Sequence, residues 1–103
     1  MVSASIQTLT QPDHTAEHRQ LYDQASRLYS QGVNSSKPQK LEHALMLALQ
    51  ARALRPDYLP GLNLLARIEL QRQNYAAAEF WAGQGLQQKP DSPSLLYSAG
   101  HIA

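Results

Sequence analysis

His14 and His18 stand four residues apart with Asp13 and Glu17 beside them, a spacing that would set two imidazoles on one helical face and could begin a metal site. A metal needs a third convergent ligand, and no residue pattern here supplies one. The alternative is an exposed first turn rich in polar groups, so neither a metal nor a cofactor is expected. His43 reads as a solvated side chain. Cysteine is absent, which rules out thiolate ligands and a disulfide framework together. Nucleophilic catalysis would need a base within reach of a serine, and the chain has no nucleophile elbow, no glycine-rich phosphate loop and no paired carboxylates. Gly83 and Gly85 follow Trp81 inside a helical pattern, where they let a neighbouring helix approach. The residues therefore point away from an enzyme and towards binding.

Composition narrows what could be bound. The nine basic residues run from Arg19 to Lys89, are offset by eight acids and leave a net charge of +1. Nucleic acid is not expected, because a phosphate-binding domain gathers its lysines and arginines on one face. Apolar residues make up 43% and charged residues 17% of the 103, as in one ordinary globular domain. The opening MVSASIQTLT has no Lys, Arg or apolar run, so it does not read as an export signal or an anchor. The most apolar stretch, LEHALMLALQARAL, is broken by Glu42, His43, Gln50 and Arg52 and is too short for a membrane. No membrane insertion is expected. The compartment, cytoplasmic or periplasmic, stays open.

The elements that would position these residues are helices. Leu21, Tyr22, Ala25, Leu28 and Tyr29 recur at helical spacing from about Asp13 to Gln31, and Gly32 is expected to terminate that helix. After the turn-rich VNSSKPQ, Ser36 and Gln39 form a candidate capping box for a second helix that ends before Pro56. Asp57 is expected to cap a third, Tyr58 to about Arg72, with Leu62, Leu65, Ala66 and Ile68 as its stripe. Asn74 opens a fourth, with Tyr75, Ala78, Trp81, Ala82, Gly85 and Leu86 inward, which stops at Lys89-Pro90. A fifth spans Pro93 to Ala103 and has no stop signal after Ile102, as in a fragment of a longer chain. No alternating β-branched run suggests a strand. The predicted class is all-α, with residues 1 to 12 as a flexible N-terminal segment.

One interval organises these helices. RPDYLP begins at Arg55 and KPDSPS at Lys89, a spacing of 34 residues, within the range that marks repeat architectures. Laying the two units over each other pairs Ala44 with Ala78, Ala48 with Ala82, Ala51 with Gly85 and Pro56 with Pro90. Small residues repeated on one helix face mark where two helices approach most closely. The run LPGLNLLARIELQRQNYAAAEFWAGQGLQQKP, from Leu59 to Pro90, resembles one tetratricopeptide (TPR) repeat. Leu62 takes the place of the first large anchor, Leu65 and Ala66 that of the Leu-Gly pair, and Tyr75 that of the turn aromatic. Ala78 matches the alanine and Pro90 the closing proline. It departs from the family where Leu62 stands for the usual tryptophan and Ala82 for the later aromatic. A longer unit, about 18 to 56, matches with seven extra residues assigned to an inter-helix loop around VNSSKPQ. Residues 93 to 103 look like the opening of a third repeat.

The resemblance implies an α-α superhelix, a TPR-like solenoid of about five antiparallel helices. It also implies a concave groove lined by the first helix of each hairpin. The groove residues it implies are Arg19, Tyr22, Asp23, Ser26 and Tyr29, then Asn63, Arg67 and Gln71, then Tyr97 and His101. Tyr22, Ser26, Leu64, Ser94 and Ser98 stand where a chaperone-binding member would carry its carboxylate clamp, so that role is not expected. The function implied is a non-enzymatic scaffold that binds a protein or peptide in the groove. ALRPDY after the extended first hairpin resembles TPR segments of bacterial regulators and of secretion or pilus assembly proteins. The alternatives are an accessory domain of such a protein, or a self-association module forming a homodimer through Leu95, Tyr97 and Ile102 of the terminal helix.

Overall fold

Helical periodicity gives four helices in the computed structural model, which describes residues 15–91: α1 (Thr15–Ser35), α2 (Pro38–Leu54), α3 (Leu59–Gln71) and α4 (Tyr75–Gln88). No strand occurs among the described residues. Consecutive helices pack on each other, and α1 also touches α3. The backbones of α2 and α4 make no close approach, but the Arg52 guanidinium lies 5.2 Å from the centre of the Trp81 ring and joins them. The fifth helix expected at 93–103 and the flexible segment expected at 1–12 lie outside the described residues.

The alanine stripe is where the helices meet. Ala44, Ala78 and Ala82 are fully buried, Ala48, Ala51 and Gly85 nearly so. The main cluster joins Ala25 of α1, Ala44 and Ala48 of α2, and Leu64, Leu65 and Ile68 of α3. Leu65 and Ile68 lose all contact with water, worth about 1.5–3 kcal/mol each relative to exposure. Glu69 is buried at the end of α3, and Arg72 Nη1 donates to its Oε1 at 2.6 Å, which gives the desolvated carboxylate a partner. Tyr75, expected inward, is instead 45% exposed at the first position of α4.

Both hairpins turn in the same way, and that corrects the expected first connection. Ser36 has φ 53° and Gln73 φ 62°. Beyond them Lys37 N donates to Gly32 O at 3.1 Å and Asn74 N to Glu69 O at 2.9 Å, the six-to-one bond of a Schellman turn. Ser36, then, closes α1 and does not cap α2. Lys37 takes the N-cap with extended backbone and no side-chain bond, and Pro38 follows at the start of the helix. Nor does Gly32 end α1: it has no positive φ and sits buried inside the helix. A Cβ there would lie 2.9 Å from Leu41 Cδ2 and 3.3 Å from Leu41 N, so the glycine serves the close approach of α2.

The seven extra residues of the first unit therefore form no loop. The connection is Ser36-Lys37, and the extra length goes into the helices: α2 has 17 residues to the 14 of α4, and α1 has 21 to the 13 of α3. Lys40 Nζ donates to Gln31 Oε1 at 2.8 Å across the added turns. Asp57 is likewise no cap. Tyr58 holds the N-cap of α3, and Asn74 that of α4, each without a side-chain bond. Pro56 and Pro90 follow α2 and α4 as expected, after Arg55 and Lys89 at the two C-caps.

Candidate functional site

Apolar contacts between α1 and α3 leave a row of polar and aromatic side chains on the side where the two helices lie next to each other. Tyr22, Ser26, Tyr29 and Ser30 of α1 face Pro60, Asn63, Leu64 and Arg67 of α3 across a cleft of about 160 Å³. Five of the residues expected in a groove, Tyr22, Ser26, Tyr29, Asn63 and Arg67, are thus brought together. The Arg67 guanidinium lies over the Tyr29 ring, 5.2 Å from its centre. Asn63 Oδ1 is buried and accepts no hydrogen bond from a described residue. A buried acceptor of this kind is uncommon in a finished core.

Tyr22 is also a wall of a second cleft, about 310 Å³, lined by Thr15, His18, Arg19, Asp23, Arg55 and Tyr58. Two expected residues, Arg19 and Asp23, therefore sit here. His18, Tyr22 and Tyr58 form a ring cluster: the Tyr58 ring meets His18 edge-on at 4.6 Å and Tyr22 edge-on at 5.4 Å, while His18 and Tyr22 lie near-parallel at 6.2 Å. Arg55 covers Tyr58, its guanidinium 4.9 Å from the ring centre. His18 is 4% exposed, so it does not belong to an exposed polar turn. Burial first, then the Arg55 charge, push its pKa below the ordinary 6.5. Burial pushes the Tyr22 phenol up, against a hydrogen bond with Ser26 that pulls it down; Tyr58 and Asp23 add to the rise and Arg67 opposes it.

Gln71 stands apart from both clefts. It lines a third hollow of about 490 Å³ where the hairpin turns meet, with Gly32, Leu41, Arg72 and Gln73 among its walls. Tyr97 and His101 lie outside the described residues, as does His14. Among the described residues no group of three or more His, Asp or Glu side chains is placed to hold a metal ion.

Sequence reasoning missed Arg55 and Tyr58. Arg55 was read as part of the stop before Pro56 and Tyr58 as the first residue of the third helix, and the link between α2 and α3 brings both against α1 only in three dimensions. Their one local signal is that an aromatic one turn before Leu62 shares a face with the start of α3.

Electrostatically this face has one sign in excess. Arg19, Arg55 and Arg67 make no ion pair with any described residue, and Asp23 is the one carboxylate among the residues lining the two clefts. The arrangement can hold a chain by stacking, charge and hydrogen bonds, and it pairs no nucleophile with a base. No described helix is long and apolar enough to cross a membrane. No family model, no curated protein and no solved structure matches the chain.

Proposed function

We propose that the chain is a TPR-like stack of helical hairpins that binds a protein segment along the α1 and α3 face, without catalysis. The reading as stacked hairpins is supported by the shared turn at Ser36 and Gln73, by burial of the small residues at the 34-residue interval, and by contact of α1 with α3. The observation that carries the binding reading is the cleft that joins Tyr22, Ser26 and Tyr29 to Asn63 and Arg67. Half-buried tyrosines beside arginine are the residue types that anchor interfaces.

The test is selection of binders from a random peptide display library on the full 103-residue chain, followed by the double variant Asn63→Ala/Arg67→Ala. Affinity for the selected peptides is expected to fall about tenfold or more, the effect of losing one good anchor. Helicity by circular dichroism should be retained, since Arg67 is exposed. Unchanged affinity in a folded double variant would refute the assignment.

A further inference from the structure

We propose that the segment taken by this face is acidic, with its carboxylates meeting Arg55 and Arg67 where those guanidiniums rest on Tyr58 and Tyr29, and Arg19 at the outer edge. This rests on the reading of the α1 and α3 face as a protein-binding face and adds the chemistry of the partner.

The first argument is the local balance of charge. Arg19 and Arg55 line one cleft and Arg67 the other, none of them in an ion pair with a described residue, against Asp23 as the one carboxylate of the two linings. An excess of two positive charges over a short stretch of surface favours a segment of opposite sign and penalises a basic one. The second argument is order. A free arginine loses side-chain entropy when it is fixed. Stacking on Tyr29 and Tyr58 at 5.2 and 4.9 Å removes part of that freedom beforehand, so less remains to be lost on binding.

Nucleic acid fits this face less well. Bases bind by stacking on open aromatic faces, whereas the rings of Tyr22, Tyr29 and Tyr58 are already engaged by a neighbouring ring or guanidinium.

The experiment sorts the displayed peptides by charge and by dependence on single residues. Enrichment of Asp and Glu is expected. The synthetic form of the strongest binder should lose at least about fivefold in affinity with Arg55→Gln and with Arg67→Gln. It should also weaken about tenfold between roughly 50 and 500 mM salt. Arg67→Lys, which keeps the charge but not the stacked guanidinium, should restore only part of the affinity lost in Arg67→Gln, and Arg67→Glu should turn the selection towards Lys and Arg. Arg27→Gln, exposed on α1 and outside both clefts, should change nothing. Neutral or apolar binders that still need Tyr29 and Asn63 would leave the face standing and overturn the acidic partner. Binders indifferent to every α1 and α3 variant, or no binders, would overturn both. A single-stranded oligonucleotide that outcompetes the acidic peptide would overturn the proposal in favour of nucleic acid.

Discussion

His18 shows how one side chain can make the stability of the α1 and α3 face depend on pH. Its imidazole is buried between Tyr22 and Tyr58 with Arg55 at hand, and its pKa in the fold is held below 6.5. The unfolded chain therefore takes up a proton at a higher pH than the folded one. Stability is at its full value above about 6.5 and is lost as pH falls through the depressed folded pKa. Urea unfolding at pH 7.5 and 5.5 should show the wild-type chain losing stability on acidification and His18→Phe losing less. An equal loss in both would mean that the imidazole is not held neutral by the ring cluster. Burial of His18 was not legible from i, i+4 spacing, because the ring that covers it, Tyr58, belongs to a different element.

Helix ends divide the legible from the illegible at the next scale. Pro56 and Pro90 marked where α2 and α4 stop, because proline acts on the residue before it whatever the surroundings. Gly32 misled for the opposite reason. Glycine is used both for positive φ and for close approach, and only the position of Leu41 tells which. A comparison of glycines tests that assignment. Gly83 has open space around a built Cβ, so Gly83→Ala should stabilise α4 by about 0.5–1 kcal/mol through helix propensity. Gly32→Ala should forfeit that gain, and Gly32→Val should cost about 1–3 kcal/mol by overpacking against Leu41. Thermal denaturation of the three variants decides it. A gain for Gly32→Ala equal to that of Gly83→Ala would contradict the tight contact between α1 and α2. The capping residues were legible only as positions: Asn74 does stand at an N-cap, while Ser36 and Asp57 were displaced by a Schellman turn and by Tyr58.

For the molecule as a whole, the repeated turn and the alanine stripe build a platform on which α1 and α3 lie adjacent, and the row of Tyr22, Tyr29, Asn63 and Arg67 follows from that adjacency. Tyr22, Ser26, Tyr29, Asn63 and Arg67 line one cleft because α1 touches α3. Gln71 lines the hollow beside the hairpin turns and neither of the two clefts. Helices α2 and α4 have exposed apolar residues of their own: Met46 is 59% and Phe80 53% exposed, 34 residues apart. Two surfaces are thus open to a partner, and the proposed one is the α1 and α3 face. Hydrogen exchange of the full chain with and without a display-selected peptide separates them. Slower exchange is expected in residues 19–30 and 58–67, with α4 around Phe80 unchanged. Protection confined to the Met46 and Phe80 side, with α1 and α3 unaffected, would contradict the account.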